Sequence, residues 1–147
     1  MGLFSNFEIS GSALTLQRLK MDVVSANIAN ATTTRGRLVN GQWEPYRRKV
    51  VLSQTVQPSF ESVLFNRTQG IAGGVKAVGI SEDPAPFHLV YQPDNPDADA
   101  QGYVRMPNVD MVKEMVDMMA ATRLYEANVT VLNASKSMAI KALEIGK

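Results

Sequence analysis

The chain has one histidine, His88, and no cysteine, so disulfides, thiolate metal sites and Cys nucleophiles are excluded and any metal or general-base chemistry would have to be built around that imidazole. His88 sits among apolar neighbours in Phe87-His88-Leu89-Val90-Tyr91, with no second His to complete a ligand set; a structural or partly exposed histidine is favoured over a catalytic one. Serine hydrolase chemistry would need the same His as its base, and no G-x-S-x-G elbow is present. The acidic stretch PDNPDADAQG, 93–102, approaches the opening of a calcium loop at Asp97-Ala98-Asp99-Ala100-Gln101-Gly102. Gln101, however, replaces the third ligand type, and Asn108 stands where the bidentate Glu belongs. Its prolines and glycine fit a rigid polar connector, and no metal is expected. Gly70, Gly73 and Gly74 are not followed by G-K-[ST], so they form no phosphate loop. Arg35, Arg37, Arg47, Arg48 and Lys49 form a basic cluster interleaved with Trp43 and Tyr46. A net charge of +1 and the lack of any RRM, KH or helix-turn-helix signature turn that cluster from a nucleic-acid patch into a solvated strand face or protein interface.

At 147 residues, 45% hydrophobic and 20% charged, the chain suits one domain, or a small core plus a non-globular part; it is neither a disordered chain nor a membrane bundle. The apolar stretch Ala13 to Ala31 is broken by Arg18, Lys20 and Asp22, which rules out a membrane span and the core of a cleavable signal peptide. Gly2 is not a myristoylation site, because Asn6 stands where Ser or Thr is required.

Both ends have helical periodicity. Ile9, Leu16 and Val23 recur seven apart, with Leu19 and Ala26 between them and Leu14, Met21 and Ile28 alongside. Gly11-Ser12 is the expected start, Ser12 being a good N-cap, and Thr32-Thr33-Thr34-Arg35-Gly36 the expected stop. From Asn108, taken as an N-cap with Asp110 at the positive helix end, no Gly or Pro intervenes before Gly146. A helix of about 37 residues, roughly 55 Å long, is therefore expected. One stripe of it holds Met111, Met118, Tyr125, Leu132 and Ala139, flanked by Met115, Thr122, Val129 and Leu143. A second holds Leu124, Val131 and Met138 beside Ala120, Ala127 and Ala134. Two apolar faces exceed what the shorter N-terminal helix can cover. The middle, about 37–107, is punctuated by Gly and Pro and has strand-favouring runs at 49–52, 75–80 and 87–91, with a turn at Gly73-Gly74.

The segment SANIANATTTRG, 25–36, sits where the first stripe turns polar. Asn30 falls one heptad after Val23, a core position where a polar residue can fix register, and Asn27 lies beside the seam. Glu126 and Asn128 are candidate polar partners from the other helix.

The segments SGSAL at 10–14, SANIANATT at 25–33, Pro45-Tyr46-Arg47 and GYVRMPNVDMVKEMVDMMAATRLYEANVTVLNASKSM at 102–138 resemble the flagellar basal-body rod proteins. The YVRMPNVD and YEANV runs and the short chain are similar to members that build the proximal rod. Ser25-Ala26-Asn27 stands where axial proteins typically show ANN, so the N-terminal motif points to the wider superfamily. The resemblance implies an α+β fold. Residues 1–34 and 108–147 would pair as a coiled-coil-like helical domain lining a tube, with a β-rich module at 35–107. It implies a non-enzymatic structural subunit without a cofactor, small-molecule substrate or nucleic-acid partner, and not membrane-inserted. Its partners would be further copies, other proximal and distal rod proteins, the junction protein between the rod base and MS ring, and the flagellar type III export apparatus. Its place would be the basal-body rod crossing the periplasmic space, reached without a cleaved signal peptide. The expected assembly interface comprises Leu16, Leu19, Val23, Ala26, Asn27, Asn30, Met118, Tyr125, Glu126, Asn128 and Leu132. The competing reading is a free-standing coiled-coil adaptor or export-associated binding module.

Overall fold

The computed structural model describes residues 3–57 and 73–145; Gly2, Gly70 and Gly146, weighed above, lie outside them. In chain order the described elements are α1 (Leu3–Ala29), β1 (Arg37–Val39), β2 (Gln42–Glu44), β3 (Lys49–Thr55), β4 (Val75–Glu82), β5 (His88–Tyr91), β6 (Tyr103–Met106) and α2 (Met111–Ile145). Two terminal helices with small two-stranded sheets between them make the expected α+β class.

The helix ends differ from expectation in instructive ways. α1 begins at Leu3, so Ser12 is inside the helix and not its cap. Its Oγ donates to the Ile9 carbonyl one turn back (2.7 Å) and accepts from the Val75 amide (3.2 Å), which satisfies the hydroxyl without ending the helix. α1 stops at Ala29, before the threonines. Asn30 closes it: its backbone N–H (3.1 Å) and its side-chain amide (2.8 Å) both donate to the Ala26 carbonyl, and Thr33 donates from its N–H to the Asn30 carbonyl (3.1 Å). At the other end Asp110, not Asn108, caps α2, accepting from the N–H groups of Val112 (2.9 Å) and Lys113 (3.2 Å). The 35 residues of α2 span about 52 Å.

β1 and β2 pair antiparallel with Leu38 opposite Trp43. The turn between them is Asn40-Gly41, both at positive φ (50° and 81°), the two-residue geometry whose twist matches a hairpin. β3 pairs with β4, and backbone bonds Asp83 to Arg48 (2.8 Å) and Val56 to Gly74 (2.7 Å) bracket the pair. β5 pairs antiparallel with β6, Tyr91 opposite Tyr103 and His88 opposite Met106, with Phe87 just outside the strand. Along β6 the strand period places Val104 inward, fully buried, and Tyr103 and Arg105 outward.

The chain divides into two compact units. One comprises Met21–Val50 and Ile80–Met119; the other comprises Met1–Lys20, Val51–Gly79 and Ala120–Lys147. The first unit buries Val23, Asn27, Val104, Pro107, Asn108, Val109 and Glu114. Among its described residues the second buries Ser10, Leu16, Gln17, Ala121 and Ser135, and the Gln17 Oε1 atom has no hydrogen-bond partner among the described residues.

Candidate functional site

Among the described residues no nucleophile, base and ligand set comes together. His88 is exposed, and no group of three or more metal-ligating side chains occurs among the described residues. The calcium-like carboxylates are engaged otherwise: Asp97 accepts from Arg35 Nε (2.8 Å) and Thr34 Oγ1 (2.7 Å), and Asp99 Oδ1 from the N–H groups of Gln101 and Tyr103 (both 2.9 Å). The hydrogen bond from Arg35, then that from Thr34, holds the Asp97 carboxyl below its ordinary value. Three members of the basic cluster, Arg35, Arg37 and Arg48, are paired with carboxylates within the fold. Arg37 bridges Glu44 (3.1 Å) and Glu82 (3.4 Å), and Arg47 lies 4.4 Å over the Phe87 ring.

What the first unit builds instead is a buried polar node. Asn27, fully buried near the end of α1, uses its whole hydrogen-bonding capacity. Its Nδ2 donates to the Lys49 carbonyl and to Glu114 Oε2 (both 2.9 Å), and its Oδ1 accepts from the Lys49 N–H (2.9 Å) and the Tyr46 hydroxyl (3.0 Å). Glu114, on the first turn of α2 and also fully buried, accepts from Arg48 Nε at 2.6 Å. The same guanidinium reaches Asp83 and Asp117, each at 3.4 Å. Burial works against the Arg48 charge, but the hydrogen bond and charge of Glu114 outweigh it and raise its pKa. Burial, then the charges of Glu114 and Glu82, also raises that of Tyr46. Asn108 completes the node, accepting from the Arg48 N–H (2.8 Å) and donating to the carbonyls of Asp83 and Ala85 (both 3.2 Å). A buried charge is tolerable when paired and hydrogen-bonded in this way. The node can fix the register of α1, the 45–49 segment and the start of α2; it has no reactive atom.

The residues expected from the sequence to form the assembly interface are spread by depth. Leu16, Val23 and Asn27 are buried within the single chain; Leu19, Asn30, Met118, Tyr125, Asn128 and Leu132 are half-buried; Ala26 and Glu126 are exposed. Within the chain Asn27 meets Glu114. Glu126 pairs instead with Arg123 (3.0 Å), and Asn128 donates to the Leu124 carbonyl (2.8 Å). On α2 the most buried line is Glu114, Ala121 and Ser135, at heptad multiples, with Asn128 half-buried between. The second apolar stripe points outward: Leu124, Val131 and Met138 are 50%, 51% and 60% exposed, and Ala120, Ala127 and Ala134 are exposed beside them. No described helix is long and apolar enough to cross a membrane.

Asn27 and Glu114 lie in the two segments that match known families. Residues 7–36 match the model described as Flagella basal body rod protein, and residues 100–145 the model described as Flagellar basal body rod FlgEFG protein C-terminal. The class is thus that of flagellar basal-body rod proteins, structural components with helical ends. Over 100% of both chains, the sequence is 55% identical to the flagellar basal-body rod protein FlgC of Bacillus subtilis and 48% identical to that of Escherichia coli O157:H7. It is 44% identical to the FlgC of Borreliella burgdorferi over 99% of this chain and 98% of that one. The chain belongs to the FlgC family of flagellar basal-body rod proteins.

Proposed function

We propose that the chain is a subunit of the proximal rod, stacking helically with copies of itself and with other rod proteins into a hollow drive shaft that transmits torque and conducts exported subunits. The observation that carries this reading is the outward stripe of α2: a helix with one face turned inward still presents Leu124, Val131 and Met138 to solvent over several turns. Burying such side chains yields roughly 1.5 kcal/mol or more each, enough over several contacts to offset the entropy of ordering helices that depend on packing. Head-to-tail contacts that do not close into a ring extend into a helical tube. Residues 1–34 and 108–147 form the axial core and 35–107 the surrounding module; Leu19, Ala26, Asn30, Met118, Tyr125, Glu126, Asn128 and Leu132 are accessible for contacts, while Leu16, Val23 and Asn27 shape the surface from beneath. The subunit leaves the cell interior through the flagellar type III apparatus without a cleaved signal, occupies the rod across the periplasm, and catalyses no reaction.

The test is Val131→Asp. Because Val131 is exposed, the purified variant keeps the melting temperature of the parent, yet it is missing from purified basal bodies, since assembly would bury an unpaired charge. Normal incorporation and motility would overturn the reading, and a small closed oligomer of the parent would point to the adaptor instead.

A further inference from the structure

Within the unit formed by 21–50 and 80–119, a cleft of about 430 Å3 opens between the 34–45 segment and the β5–β6 connection, lined among others by Trp43, Tyr103, Arg105 and Asp99. Large side chains that a folded chain usually covers are left open around it. Trp43 and its cross-strand neighbour Leu38 are each 57% exposed, and Tyr103, 42% exposed, meets the 63% exposed Tyr91 edge to face at 5.3 Å. Trp, Tyr and Arg side chains concentrated in one concavity are the composition of an interface centre. Arg35, Arg37 and Arg48 each pair with a carboxylate of their own chain, whereas Arg105, held outward by the period of β6, has no ion-pair or hydrogen-bond partner among the described residues. Asp97 and Asp99, which also line the cleft, already accept hydrogen bonds within the chain, so the Arg105 guanidinium is left to receive a carboxylate from outside.

The same chain has a matching projection. Asp94 is exposed and without such a partner among the described residues. It sits on a turn flanked by Pro93 and Pro96 and tied by the Asn95 N–H to the Gln92 carbonyl (3.2 Å) and by the Asn95 amide to Gln92 Oε1 (3.2 Å). A stiff turn that presents an acid loses little entropy on docking.

We infer that the Trp43–Tyr103–Arg105 cleft of one subunit receives the Asp94 turn of a second copy, with Asp94 paired to Arg105. Asp94 does not line the cleft of its own chain, and in a rod whose contacts do not close into a ring the pairing runs head to tail from copy to copy. This contact belongs to the strand module, separate from the α2 stripe, and it rests on the rod-subunit reading.

Charge reversal tests it. Asp94→Lys and Arg105→Glu each lower incorporation into purified basal bodies by about tenfold or more, while the purified variants melt with the parent because both positions are exposed. Asp94→Lys/Arg105→Glu in one chain restores the pair between copies and brings incorporation back to within about twofold of the parent. Single variants that incorporate normally would overturn the inference. So would a double variant no better than the worse single, which would assign the acid to another rod protein. A parent chain absent from basal bodies would defeat the rod reading itself, whereas a parent that incorporates beside an unrescued double defeats only this contact.

Discussion

Asn27→Ala is the most informative single change, because one amide on α1 satisfies four groups on two other segments. Lys49 is exposed and Tyr46 half-buried, so water replaces the lost partner for the Lys49 backbone and the Tyr46 hydroxyl. Those bonds contribute about 0.5 kcal/mol or slightly more each. Glu114 is fully buried, and stripping Asn27 from its Oε2 leaves a charged acceptor short of a donor, for about 1–3 kcal/mol. The sum is about 3 kcal/mol, which for a chain of this length lowers the melting temperature by about 10 °C. Asn27→Asp is the sharper companion. It keeps the shape and the two accepting bonds but sets a carboxylate oxygen against Glu114 Oε2 and the Lys49 carbonyl, so at neutral pH it is less stable than the alanine variant. It recovers in acid, as protonation of the new carboxyl returns one donor. The assay is guanidinium unfolding of the purified subunit, followed by circular dichroism. A loss below about 1 kcal/mol for Asn27→Ala would mean that solvent reaches Glu114, and the account of the node would fail.

Two further outcomes follow from the same structure. Asp97, lowered chiefly by the hydrogen bond from Arg35, and Asp83, lowered chiefly by that from the Ala85 N–H, contribute stability that is full above the ordinary carboxylate value of 3.8 and is lost as the pH falls below it. Acid unfolding should therefore set in below about pH 4, with a shallower acid limb in Arg35→Ala; an identical limb in that variant would count against the Arg35–Asp97 pairing. Leu124, Val131 and Met138 leave α2 an exposed apolar face, and helices of this kind depend on packing, so dilute subunit should show less helix by circular dichroism than α1 and α2 together would give, with termini open to protease. Full helix content with resistant termini would refute ordering on assembly.

The helices and the main strand runs were legible in the sequence because heptad spacing and β-branched runs are local signals. Their ends were less so: Ser12 and Asn108 have the chemistry of caps, but tertiary partners, the Val75 N–H for one and the Arg48 N–H for the other, claim their side chains. Asn40-Gly41 was a readable hairpin signal that the basic cluster around it obscured. Asn27 was singled out as polar and special, yet its partner Glu114 was missed. A glutamate in the first turn of a helix looks like dipole complementarity, and only folding reveals that Arg48 makes its burial affordable. On α2 the stripe of Met118, Tyr125, Leu132 and Ala139 is half-buried beside a more deeply buried line, Glu114, Ala121 and Ser135, whose small or polar side chains give no hydrophobic signal.

The bond between Asn27 and Glu114 joins residues 87 apart in the chain. Local elements can form early, but this closure must wait until both distant segments are present, and contacts of long sequence separation are the slow ones. Until then one donor of the Asn27 amide lacks its partner and Arg48 lacks its buried counter-charge. The node therefore acts as a late clasp in folding. A chain emerging end first remains unlatched for most of its length and locks its register only when the last third arrives.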